Sequence, residues 1–152
     1  LLGFAVISEI PWYLLNGADE THNVMFTLAL GVATLMVLEN LLQRSMVLGF
    51  LWTLGMAGLA SWLGVDYEWR GIIVIDIFYL YNILLNRDKN YRYSSLIFCH
   101  FIMSYYGIIG TIFAIYIIYL YNTFRGFINM STLKYIFYLF YPLHLYILLF
   151  FT

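Results

Sequence analysis

The chain is laid out as long apolar blocks separated by polar stretches of only a few residues. Leu1 to Leu15, Asn23 to Leu42, Met46 to Val65, Gly71 to Leu85, Ser94 to Tyr121 and Tyr135 to Thr152 are all of this kind. Such blocks suit α-helices that cross a bilayer, whose hydrocarbon core takes about 20 apolar residues. A closed β-barrel needs alternating segments of about ten residues instead, and the sequence has none. Of the 152 residues 64% are hydrophobic and 10% charged, an apolar share that a soluble domain of this size has no core to absorb. The expected fold is all-α, a polytopic transmembrane helical bundle forming one membrane domain over residues 1–152. Leu1 opens inside an apolar run with no methionine, basic region or cleavage site before it, so further helices are expected upstream.

The formal net charge is -1, but its sign changes along the chain. Asp88 is the last acid, and Lys89, Arg92, Arg125 and Lys134 follow it. Basic residues gathered in alternate connections mark cytoplasmic loops. Arg44 and residues 87–92 are therefore expected on the cytoplasmic side, with Asp19, Glu20, Asp66 and Glu68 outside. Ser94 to Tyr121 allows two arrangements. A straight helix of ~42 Å makes one tilted crossing, whereas a break at Gly107 or Gly110 makes two short helices. The broken pair is preferred, because it keeps Arg125 and Lys134 on the basic side. Gly49, Gly55, Ala57, Gly58 and Ala60 read as a small-residue face for close helix contact. The turn Asp66 to Arg70 reads as interfacial.

Ionisable groups within apolar helices are costly, so each is a candidate functional residue. The last block carries Pro142, which frees a backbone carbonyl one turn earlier, and His144, one turn after Tyr141 on the same helix face. A desolvated neutral imidazole there can take a proton from an acceptor. Glu9 precedes Pro11 in the first block and is suited to orient a histidine or to pair with an arginine. Arg125, flanked by Asn122 and Gly126, carries a guanidinium fork that matches a phosphate. Lys134 reads as an interfacial anchor. Asp66 and Tyr67 close a site from the acidic end. Asn23 and Thr27, one turn apart, serve either as glue between helices or, for Asn23, as a ligand contact. Asp76 requires a partner, with His100 and Arg70 as candidates, and His22 reads as an ordinary loop residue. The three histidines and single cysteine show no metal-ligand spacing. No phosphate-binding glycine loop or nucleophilic serine motif occurs, and no nucleic-acid partner is expected.

Several of these pieces occur in an order that resembles the TraX family of integral membrane proteins, named for the conjugative F-pilin N-acetylating protein. They are Ser8-Glu9-Ile10-Pro11, Asn23 to Leu28 with Gly31, Asp66-Tyr67 with Gly71, Tyr121-Asn122, Arg125-Gly126, and Phe137 to Leu145. The chain departs from that pattern at Glu68 and Thr123, where the family tends to have glycine. Family members also carry earlier helices, including a histidine-bearing first span. The resemblance implies a membrane acyltransferase-like protein of the bacterial inner membrane. It would move acetyl from acetyl-CoA to an amine or hydroxyl of an exported protein or polymer, in contact with membrane lipids. His144, Tyr141 and Glu9 would be catalytic, Arg125 and Asn122 would bind the donor, and Asp66, Tyr67 and Asn23 the acceptor. Two other classes remain. One is a transporter or flippase with a relay through Glu9, Asp76 and His144; the other is a non-catalytic pilus or surface-polymer assembly factor.

Overall fold

The computed structural model describes residues 1–17, 21–84, 89–120 and 130–151. Those residues form helices α1 (Leu2–Asn16), α2 (Val24–Arg44), α3 (Met46–Trp62), α4 (Glu68–Leu84), α5 (Lys89–Met103), α6 (Ile108–Leu120) and α7 (Met130–Phe151). They fall into two compact units. The first comprises α1, α2, α3, the opening residues of α4, and α7; the second comprises the rest of α4 with α5 and α6. By length and composition α2 can cross a membrane, while α3, α6 and residues 135–151 of α7 are apolar but shorter.

In the first unit, α2 and α3 form an antiparallel pair joined through the single residue Ser45. Gly49 is what allows the close approach: a Cβ there would sit 2.6 Å from Leu42 Cδ2 and 3.3 Å from Leu38 Cδ1. The Trp52 indole then reaches across and donates to the Thr34 carbonyl at 3.1 Å. Gly49, Met56, Ala57 and Ala60 are the buried face of α3. Gly55 and Gly58 lie outside it, exposed and with open space where a side chain would be. The small-residue face is thus narrower than expected, because the helical period carries those two glycines round to the far side.

Helix α7 packs against α1. Pro142 and Leu145 are buried on its inner side, and Tyr138 meets Phe4 with ring centroids 5.7 Å apart. The outward residues Leu139, Leu143, Ile147 and Phe150 are exposed and apolar. Helix α3 likewise exposes Phe50, Leu51 and Leu54. A water-facing surface of this composition is outside the ordinary range for a soluble monomer.

The turn between α3 and α4 is shorter than expected, since α4 begins at Glu68. Tyr67 and Glu68 both take positive φ, 64° and 45°, which costs a non-glycine residue about 1–2 kcal/mol. Glu68 is one of the two positions at which the chain carries a side chain where the resembled pattern tends to glycine, and the left-handed backbone supplies the physical reason for that preference. In the second unit, α5 ends in a 3-10 turn at Ser104–Tyr106 and the chain reverses at Gly107, φ 143°. The preferred break therefore falls at Gly107, while Gly110 lies inside α6. Helix α6 has no buried residue. Helix α5 starts at Lys89, so part of the expected basic loop is helical.

Candidate functional site

The polar residues of the first unit converge at the start of α2. Gly17 reverses the chain after α1 with φ 71°, and the Trp12 indole donates to the Thr21 carbonyl at 2.8 Å, drawing the connection back along α1. The His22 backbone then bridges the α3–α4 turn: its N–H donates to Gly64 O, and its carbonyl accepts from Asp66 N–H, each at 2.8 Å. Two loops distant in sequence become one short two-stranded contact, and the residues on both are held in place.

Glu9 is the hub. Its Oε1 lies 2.6 Å from His22 Nδ1. Its Oε2 accepts from the Asn23 side-chain amide and, at 3.3 Å, from the Asn23 backbone N–H. Asn23 is fully buried and also donates to the Ala5 carbonyl at 2.9 Å, while its Oδ1 accepts from Met25 N–H at 3.0 Å as the N-cap of α2. Both amide hydrogens and the carbonyl oxygen of Asn23 are thus engaged within the protein, which makes it a support for Glu9. A carboxylate can only accept, so His22 Nδ1 carries a proton, and in the neutral ring Nε2 presents a lone pair. The His22 side chain is 51% exposed and that of Glu9 31%: the imidazole is accessible while the carboxylate behind it is partly shielded.

Asp66, Tyr67 and Tyr141 complete the cluster. Thr27 Oγ1 donates to the Asp66 carbonyl and Tyr67 N–H to Asp66 Oδ1 at 3.0 Å. Burial raises the Asp66 carboxyl above its ordinary value, and the Tyr67 N–H it accepts from pulls it partly back. Gly71, one turn into α4, leaves room for Thr27: a Cβ there would lie 2.5 Å from Thr27 Cγ2. From α7, Tyr141 approaches the start of α2 at Val24, within electrostatic reach of Asp66, Tyr67 and Glu9.

Of the residues singled out from sequence, Glu9, Asn23, Asp66, Tyr67 and Tyr141 come together here. His144 sits one turn along α7 with its ring 5.1 Å from that of Tyr141 and stacked on Phe140 at 5.3 Å. Its Nδ1 donates to the Phe140 carbonyl at 3.2 Å. Arg125 and Asn122 lie outside the described residues, as do Asp19, Glu20 and Arg87. His22 is the residue that sequence reasoning passed over. Its signal was the Asn16-Gly17 reversal, which returns the following residues to the level of Glu9. Asp76 is buried in α4. Of the partners considered for it, His100 meets Thr111 Oγ1 at 2.9 Å and Arg70 pairs with Glu68 at 3.3 Å.

The second unit holds an apolar cavity of about 140 Å³ among α4, α5 and α6, lined by residues including Val74, Leu96, Cys99 and Ile115. His100 and Thr111 also line it, and they are bonded to each other.

A family model described as TraX protein matches residues 1–152, the whole chain. No curated protein and no solved structure matches it.

Proposed function

This chain belongs to the TraX family, and from that premise we propose that it is a multi-pass membrane acetyltransferase. It moves an acetyl group from acetyl-CoA to an amine or hydroxyl of an exported or surface acceptor, in the bacterial inner membrane. The observation that carries this is the Glu9–His22 pair, 2.6 Å apart. Acyl transfer requires a base within reach of the attacking N–H or O–H. A carboxylate on Nδ1 holds the imidazole in the tautomer whose Nε2 can accept a proton, and it faces the positive charge the ring then acquires. Asn23 holds the carboxylate. Asp66 N–H donates to the His22 carbonyl, which ties the turn carrying Asp66 and Tyr67 to the same backbone. Arg125 and Asn122 are proposed to hold the phosphates of the donor. The apolar outer faces of α3 and α7 support placement in lipid.

His144 is the second candidate base. Donation from its Nδ1 to Phe140 O leaves Nε2 of the neutral ring with a lone pair as well, but among the described residues no carboxylate is paired with it to balance the imidazolium. The test is acetyl transfer in proteoliposomes from labelled acetyl-CoA to a short peptide with a free N-terminal amine. The same peptide with a blocked terminus and a serine hydroxyl serves as the alternative acceptor. Wild type transfers label to one of them. Among variants inserted at normal levels, His22→Gln lowers the rate by roughly 10²–10⁴-fold. His144→Gln costs about fivefold or less, the worth of one neutral contact. The reverse ranking makes His144 the base. A well-inserted wild type that transfers no acetyl leaves the transporter or assembly-factor classes.

A further inference from the structure

His22 is placed by its main chain as well as by its ring. Its N–H and its carbonyl both bond to the turn between α3 and α4, through Gly64 O and Asp66 N–H at 2.8 Å each. The position of the imidazole beside Glu9 therefore depends on where that turn lies. The turn is not relaxed: Tyr67 and Glu68 are consecutive left-handed residues, φ 64° and 45°, and neither is glycine. Such a backbone persists only where its surroundings over-determine it. Here Asp66 is held at three atoms. Its N–H goes to His22 O, its carbonyl accepts from the Thr27 hydroxyl, and its Oδ1 accepts from Tyr67 N–H at 3.0 Å. Of these partners Thr27 is the one anchored in a helix. It is buried, 2% exposed, one turn after Asn23 in α2, and its Cγ2 lies in the space that Gly71 leaves in α4.

From this geometry we infer that Thr27 is a positioning residue for His22: its hydroxyl holds the strained turn Asp66-Tyr67-Glu68, and the turn holds the His22 backbone in register with Glu9. The inference rests on the acyltransferase reading of the same site, in which His22 is the base. Helix α2 then supports both members of the pair. Asn23 fixes the carboxylate directly, and Thr27, on the same helix face, fixes the imidazole through the turn. Without the hydroxyl the Asp66 carbonyl loses its donor, and the two left-handed residues are free to relax toward ordinary backbone. Asp66 N–H then shifts relative to His22 O, and the main chain no longer sets the 2.6 Å contact between His22 Nδ1 and Glu9 Oε1. A base displaced in this way meets the attacking group's proton less often at reactive distance. The Thr27 methyl has a separate task, packing against α4, so the two branches of the side chain can be tested apart.

Two substitutions in the full chain do so. Thr27→Val keeps the branched shape and removes the hydroxyl; Thr27→Ser keeps the hydroxyl and removes the methyl. Both lower the melting temperature in detergent, the first by leaving a carbonyl without its donor and the second by opening a small void. The rate separates them. With acetyl-CoA and the free-amine peptide as probes, Thr27→Val is expected to lower kcat by roughly 10–10²-fold, with the KM for acetyl-CoA within about twofold, while Thr27→Ser stays near wild type. Glu68→Gly, which takes φ 45° without strain, should restore part of the kcat of Thr27→Val. A second readout does not depend on transfer: the nitrogen NMR resonances of the His22 ring in detergent, assigned by their loss in His22→Gln, under conditions where the ring is neutral. Wild type and Thr27→Ser should show the Nδ1–H tautomer, and Thr27→Val a mixture with the Nε2–H form. A kcat that merely follows melting temperature across the variants, or an unchanged His22 tautomer in Thr27→Val, overturns the inference and leaves the acetyltransferase standing. A wild type that transfers no acetyl, but whose tautomer follows the Thr27 hydroxyl, removes the acetyltransferase and supports the positioning role.

Discussion

Glu9 shows how one side chain can set a site. It lies on the inner edge of a helix and meets a fully buried asparagine on one oxygen and an accessible imidazole on the other. Neither contact is large by itself, and the exposed half of the pair is worth at most about 1 kcal/mol to folding. Its effect is orientation. Asp66 is a different case, because burial raises its carboxyl above the unfolded value of 3.8. The folded protein therefore holds that proton more tightly than the unfolded chain does. Stability from this group is full below pH 3.8 and is lost as pH rises through the raised folded value. Asp66→Asn keeps the oxygen that accepts from Tyr67 N–H and removes the charge. Its melting temperature should exceed that of wild type at pH 7, and the gap should close as pH is lowered past 3.8; a gap independent of pH would mean that burial of this charge is not what costs stability.

Among the helices, glycine positions divide by what stands opposite them. Gly71 faces Thr27, a stiff β-branched side chain already tied to the Asp66 carbonyl, so the neighbour has little freedom to yield. Gly71→Ala should destabilise the protein by about 1–3 kcal/mol, as overpacking does, and shift the turn that carries Asp66 and Tyr67. Gly58 faces open space, and Gly58→Ala should stabilise α3 by up to ~1 kcal/mol through helix propensity. Thermal unfolding in detergent measures both. Equal effects at the two positions would show that the α4 approach is looser than the geometry indicates. The mid-helix prolines do different work from breaking their helices: Pro11 and Pro142 are both buried inside continuous α1 and α7.

For the whole molecule, the His22–Val65 bridge puts the α1–α2 and α3–α4 connections at the same end of the first unit, and α2 carries Arg44 about 30 Å away. Asp66 and Glu68 are thus at the end opposite Arg44, the separation that the charge pattern proposes for these three residues. The prediction is that Thr21→Cys and Glu68→Cys react with an impermeant reagent from outside, and Arg44→Cys from the cytoplasm, in a background where Cys99 is replaced by alanine. Labelling of Arg44→Cys from outside would invert the orientation.

What the sequence determined by itself is the class of fold and the list of expensive residues. Long apolar blocks leave helices as the economical way to pair every backbone N–H and C=O, and the few polar side chains inside such blocks stand out without any structure. The break at Gly107 was also legible, because glycine there coincided with the charge pattern. What only the tertiary structure decided is which of those residues meet. His22 looked like a loop residue, because the Asn16-Gly17 reversal alone does not announce that Trp12 draws the loop back along α1 to Glu9. Asn23 had two open readings until burial showed every polar atom engaged. Tyr141 was singled out for sharing a face with His144, yet it comes close to Val24, more than a hundred positions earlier. Periodicity tells which face a residue lies on; the partner across the gap depends on packing between segments far apart in the chain.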